Sequence, residues 1–238
     1  MGSLAAAFRI HADSLVRAVS ERDIETGLSG EREEEVVTTF LSSIGVDIES
    51  VRFDGSYYFH GTRTVDPESF FRDGILPLGQ MVDRLWSTLY DLVRNEVTEP
   101  EWRNFRAELE RGAGGDGGWL YRFKTTDAFH HGPYAMLVRE THLHPGAVGN
   151  HDYLAVPEIV QDIASAFGGN LRETFSAASK RCIVKFRSQE VGKPALIAAS
   201  WYLYSAIRGD PAGRAGVWII DCKGAVPPRD VVAVEALL

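Results

Sequence analysis

The segment PALIAASWYLYSAIRG, residues 194–209, is apolar nearly all the way round at helical spacing, and such a helix has no face to turn to water. A chain that carries it must supply enough other apolar surface to enclose it. With 238 residues, 45% hydrophobic and 24% charged, this chain can do so in one large domain or in a compact pair that shares one core. The same proportions set aside disordered, collagen-like and coiled-coil classes.

The first third reads as helical. Leu4, Phe8, His11, Leu15 and Val19 share one face, and Val36, Val37, Phe40, Leu41 and Ile44 follow an acidic run, Glu31 to Glu35, that suits the positive end of a helix dipole. The period then changes. In VRFDGSYYFHGTR, residues 51–63, the aromatic residues Tyr57, Tyr58 and Phe59 favour a strand that ends abruptly at His-Gly-Thr. A short helix, PESFFRDG, follows with proline at its start and Gly74 at its end, and then a helical hairpin carrying Met81, Val82, Leu85, Leu89 and Val93, then Trp102, Phe105 and Leu109.

GAGGDGG, residues 112–118, reads as a flexible loop leading into an apolar strand, Trp119 to Phe123. No Lys-Ser/Thr follows it, so it is a poor phosphate loop. Downstream, HHGPYAMLVRE has a strand-like core, VPEIVQDIASAFGG is a proline-started helix, and RCIVKFRS is a strand. The final stretch, 216–237, reads as two strands around a Pro-Pro turn. Strands dispersed among helices give an α+β class, with a helical N-terminal portion over 1–50 and a mostly β region over 51–238 that carries a helical insertion at about 80–111.

Charge and cysteine content narrow the setting. Lys+Arg is 25 against Asp+Glu 33, a net charge of −8, so no overall field attracts a polyanion and nonspecific nucleic-acid binding is not expected. Cys182 and Cys222 lie in apolar, strand-like runs without metal-ligand spacing and read as buried thiols of a reducing cytoplasm. No apolar stretch reaches bilayer length, so a cytoplasmic protein with no membrane partner is expected.

Two stretches carry chemistry. YYFHGTRTVDPESFFRDGILPLG, residues 57–79, resembles the opening of the ADP-ribosyltransferase superfamily, where a strand ends in His-Gly-Ser/Thr before a helix and a Gly-Ile/Leu-Pro turn. The matching residues are Tyr58, His60, Gly61, Thr62, Gly74, Ile75 and Pro77. GVWIIDCKGAVPPRDVVAVEAL, from Gly216, is similar to the closing strands of the RNA 2′-phosphotransferase branch and of poly-ADP-ribose-polymerase-like enzymes. Together the two cover about a fifth of the chain.

The resemblance implies a split β-sheet of the ADP-ribosyltransferase type and NAD as substrate, for ADP-ribosyl transfer or NAD glycohydrolysis in a toxin or defence effector. The expected site has His60, Gly61, Thr62 and Arg63 on one wall, with a tyrosine and a carboxylate opposite. The residue chemistry is coherent by itself: a strand-end histidine can donate a hydrogen bond to a ribose hydroxyl, a glycine exposes its backbone to a flat carboxamide, and Arg63 could neutralise a pyrophosphate. The resemblance also asks for an aromatic ring against nicotinamide, for which Tyr134 and Tyr153 stand in polar, turn-rich contexts.

It further asks for a glutamate at the start of the closing strand, where Gly216 stands instead. Glu190, after the 181–188 strand, and Glu158, in the first turn of a helix, are the substitutes. Three other readings stay open. HLHPGAVGNHD holds His142, His144, His151 and Asp152, ligand types for a metal-dependent enzyme. Gly216 allows a non-catalytic nucleotide-binding module. An RNA-terminal phosphotransferase would also use NAD, but the basic residues it needs have no counterpart between Gly79 and Trp119.

Overall fold

The computed structural model describes residues 2–21, 30–127, 132–189, 192–209 and 219–237. Its helices are α1 (Gly2–Phe8), α2 (Ala12–Ser20), α3 (Gly30–Ser43), α4 (Ser69–Asp73), α5 (Leu78–Val93), α6 (Glu99–Glu110), α7 (Gly115–Thr126), α8 (Pro145–Val148), α9 (Glu158–Phe167), α10 (Leu171–Ala178) and α11 (Lys193–Ile207). The strands are β1 (Ser56–Thr64), β2 (Tyr134–Met136), β3 (Lys180–Ser188), β4 (Ile219–Asp221) and β5 (Val231–Leu237), in the sheet order β4-β2-β1-β3-β5. The α+β class is as expected. β1 pairs antiparallel with β2, and β3 pairs antiparallel with β5 with Val184 opposite Val234.

The chain divides into two compact units, one of residues 1–59, 136–150 and 187–219, the other of 60–135, 151–186 and 220–238. The first is helical around α11. Leu196, Ile197, Trp201, Leu203 and Tyr204 are buried with Phe8, Leu15, Val19, Phe40 and Leu41, which is the enclosure an all-round apolar helix demands. The stripe expected as one N-terminal helix is broken between α1 and α2. Arg9 takes a left-handed φ of 56°, and His11, placed on the apolar face by spacing alone, instead caps α2 by accepting the Asp13 N–H at 3.4 Å. Of the acidic run, Glu34 pairs with Lys193 at 2.8 Å, and the same ammonium takes Glu49 at 2.6 Å.

The second unit packs α5, α6, α7, α9 and α10 around Trp86, Leu89, Trp102, Leu109, Tyr121, Val160, Ile163 and Phe175. Trp86 donates its indole N–H to the Tyr121 hydroxyl at 2.9 Å, and Trp102 donates to the Trp86 carbonyl at 3.2 Å, so the aromatic centre leaves neither indole unpaired. On β3, Cys182, Ile183, Val184 and Phe186 are buried in near succession, the pattern of a strand covered on both faces. Cys182 is buried, and Cys222 only partly so.

Two expectations are corrected here. The strand read over Trp119 to Phe123 is helical, and the glycine run before it is half loop, half first turn of α7. The glycines serve packing rather than flexibility. A Cβ on Gly117 would stand 2.6 Å from the carbonyl oxygen of Asp162 and 3.1 Å from the nitrogen of Ala166, so α7 meets α9 backbone to backbone. The strand expected to end at His60 also runs on through Gly61 and Thr62 to Thr64. Beyond α4, Gly74 has a φ of 78° and its absent side chain leaves room for the Val226 carbonyl, which accepts the Ile75 N–H at 2.9 Å.

Replacing a helical glycine by alanine ordinarily favours the helix by about 1 kcal/mol. At Gly117 the new methyl meets backbone that cannot swing aside, and overpacking of this kind costs roughly 1–3 kcal/mol. Gly117→Ala is therefore expected to lower the denaturation midpoint with an unchanged denaturant slope, as read by urea unfolding.

Candidate functional site

A cavity of about 730 Å³ opens in the second unit, within the size range of small-molecule sites. β1 contributes His60, Gly61, Thr62 and Arg63, the segment before and within β2 contributes Pro133 and Tyr134, the turn before α9 contributes Tyr153, and α9 begins with Glu158 at the wall. Seven of the residues named from sequence thus line one space. Glu190 and Gly216 lie outside the described residues.

His60 is held by a hydrogen bond from Nδ1 to the Tyr134 carbonyl oxygen at 2.7 Å. A carbonyl only accepts, so the proton is on Nδ1 and Nε2 carries a lone pair while the ring is neutral. Desolvation by burial pushes the His60 pKa below the usual histidine value, outweighing the carbonyl contact that raises it, and so favours that neutral form. The ring is consequently an acceptor toward a hydroxyl rather than a donor.

Tyr134 and Tyr153 lie against each other, centroids 5.4 Å apart and planes inclined by 29°. A third ring between them would need roughly 7–8 Å, twice a carbon–carbon contact distance. The pair therefore forms a platform, not a slot. Tyr153 has a second ring neighbour, His151 at 4.9 Å and 77°, and donates its hydroxyl to Glu158 Oε1 at 3.3 Å; among the described residues Tyr134 has neither. Burial raises both tyrosine pKa values, with the Glu158 charge adding to each, so both remain phenols.

Glu158 also faces an ammonium that the sequence reading did not place there. Lys124 Nζ stands 3.2 Å from Glu158 Oε2 and 2.7 Å from Asp162 Oδ2. Asp162 is almost wholly buried, and desolvation raises its pKa although Lys124 pulls the other way. One ammonium between two carboxylates leaves a net negative charge whenever both are ionised. Asp221, from β4, also lines the cavity. Reading 119–123 as a strand hid Lys124. At helical spacing, Tyr121 falls on the buried side of α7 and Lys124, three residues on, on the adjoining one.

Arg63 is occupied. Its Nε donates to the Ser179 hydroxyl at 3.0 Å, and its terminal nitrogens donate to the carbonyls of Leu154 at 3.3 Å, Ser176 at 2.6 Å and Ser179 at 3.1 Å. Four of its five N–H groups are thereby used, so Arg63 holds the segments around β1 together at the cavity wall.

The histidine-rich segment does not assemble as a ligand set. His142 donates Nε2–H to the Phe59 carbonyl at 2.7 Å, His151 donates to the Val156 carbonyl at 2.6 Å, His144 is exposed, and Asp152 accepts the N–H groups of Leu154 and Ala155 at 3.1 and 2.9 Å. Among the described residues no three His, Cys, Asp or Glu side chains gather as a metal site would require. Nor is any helix of the described residues long and apolar enough to cross a membrane. Comparison with protein-family models, with curated proteins and with solved structures found no match.

Because the His60 pKa is depressed on folding, the unfolded chain takes up the proton first as pH falls. The stability held by neutral His60 is complete above the ordinary value near 6.5 and is lost as pH drops below it toward the depressed folded value. His60→Gln is expected to flatten the pH dependence of unfolding free energy below pH 6.5, by at most about 1.4 kcal/mol per pH unit, when wild type and variant are compared by urea unfolding.

Proposed function

We propose that this chain binds NAD in the cavity and breaks the bond between its ribose and nicotinamide, passing ADP-ribose to an acceptor or to water. The observation that carries the reading is the convergence of His60, Gly61, Thr62, Tyr134, Tyr153 and Glu158, drawn from distant parts of the chain, on one cavity. The first three are among the residues through which the 57–79 segment resembles ADP-ribosyltransferases.

NAD brings a C1′–N bond already weakened by the positive charge of its pyridinium ring. As that bond breaks, the electron pair leaves with neutral nicotinamide and positive charge develops on the ribose. The acceptor's lone pair then forms the new bond to C1′, and its proton is released. The protein's work is to orient and to stabilise charge. His60 Nε2 accepts a ribose hydroxyl, the open face of Tyr134 stacks on a flat ring, and Glu158 supplies negative charge. Lys124, itself anchored by Asp162, holds that carboxylate at the wall.

Purified protein incubated with NAD is expected to release free nicotinamide, with or without a chelator. Glu158→Gln should slow release by about a hundredfold or more, the usual effect of losing one preorganised electrostatic group, with the NAD dissociation constant changed only about a few-fold. NAD should raise the wild-type melting temperature, and His60→Ala should remove most of that rise. A wild type that shows neither shift nor release overturns the reading. Binding without release under any acceptor tried leaves a nucleotide-binding module.

A further inference from the structure

Resting on the dinucleotide reading above, we infer that Arg72 and Arg84 form a diphosphate subsite on the wall of the same cavity. The sequence points to Arg63 for that role, but Arg63 has three carbonyls and a hydroxyl on its guanidinium and one N–H left to give. Arg72, from α4, and Arg84, from α5, also line the cavity and are committed far less. Arg72 uses Nη2 on Asp66 at 2.6 Å, and Arg84 uses Nη1 on Asp73 at 2.8 Å. Each keeps its remaining nitrogens for a ligand.

Both forks are held at the cavity through carboxylates beside or within α4: Arg72 through Asp66, and Arg84 through Asp73, the last residue of that helix. Each arginine side chain is 58% exposed, and ion pairs so open to water hold the fold only weakly. A planar guanidinium meets phosphate oxygens through two parallel N–H bonds with both partners charged, a stronger arrangement than either present pair. Surrender of the arginines strands neither carboxylate. Asp66 also takes hydrogen bonds from the backbone of Glu68 and Ser69, and Asp73 is 36% exposed to water.

The wall carrying the forks is also fixed in place. α4 ends at Gly74, and the next residue, Ile75, exchanges two backbone hydrogen bonds with Val226, each 2.9 Å. Two positive forks lining one cavity, with His60 and Tyr134 lining it as well, match a ligand whose hydroxyl and flat-ring portion continues into a diphosphate. A phosphate on an acceptor has the same local chemistry, and the choice of probes separates the two.

Titration calorimetry of wild type, Arg72→Gln, Arg84→Gln and the double variant would use ADP-ribose, nicotinamide riboside and inorganic pyrophosphate. Each single variant is expected to weaken ADP-ribose by about tenfold or more, the range for a charge-assisted hydrogen bond, and to leave nicotinamide riboside, which has no phosphate, unchanged. Asp73→Asn should act in the opposite sense and tighten ADP-ribose about a few-fold by releasing Arg84. Melting temperatures confirm that each variant is folded. Unchanged ADP-ribose affinity, or an equal loss toward nicotinamide riboside, overturns the assignment. If wild type binds neither NAD nor ADP-ribose, the dinucleotide reading fails separately and pyrophosphate decides. Pyrophosphate binding lost in the double variant assigns the forks to another phosphate, such as that of an acceptor; no pyrophosphate binding overturns the subsite.

Discussion

Helices α7 and α9 approach more closely than side chains allow, and the candidate site follows from that approach. Gly117 has no Cβ to hold the helices apart, so its backbone lies directly on the carbonyl of Asp162. Lys124, two turns further along α7, then reaches both Asp162 and Glu158 on α9. Were the helices held a side chain's width further apart, the ammonium would not span both carboxylates, and Asp162 would be a buried charge without a partner, an arrangement that costs several kcal/mol. Packing and electrostatics are thus one problem solved by one residue type. The glycine that looks like slack in the chain is where two helices pack tightly.

A second constraint acts across the sheet. The bond from His60 Nδ1 to the Tyr134 carbonyl ties β1 to β2 and also selects the tautomer, so the structural contact sets the chemical role of the ring's other nitrogen. The Tyr134 side chain begins at that same residue and stacks on Tyr153, whose hydroxyl reaches Glu158. Histidine, platform and carboxylate are therefore linked by consecutive contacts, and a displacement of any one is transmitted to the next.

The arginines show how little residue type says about role. Arg63, Arg72 and Arg84 all line the cavity. The first donates to three backbone carbonyls and a hydroxyl, and it is consumed as a structural cross-link. The other two face carboxylates in water, where the exchange of one anion for another is cheap. The difference lies in which acceptors the fold brings near, and chain position relative to the His-Gly-Thr segment carries no information about those acceptors.

Much of the architecture was legible in the residues. The all-round apolar helix 193–207, the buried strand 180–188, the α5–α6 hairpin and the proline-started α9 each announce themselves by hydrophobic period, which is local, and the α+β class follows from their alternation. His60, Tyr134, Tyr153 and Glu158 stood out by type and context. Periodicity failed where a contact distant in sequence overrides local preference: 115–126 is a helix because its glycines find α9, and β1 runs past His60 because the sheet continues to pair it. Which residues share a cavity, which histidine nitrogen is free, that two tyrosines stack on each other, and that Lys124 sits between two carboxylates are facts about separations across tens of residues. Chain order carries no measure of those distances, so only the tertiary structure could decide them.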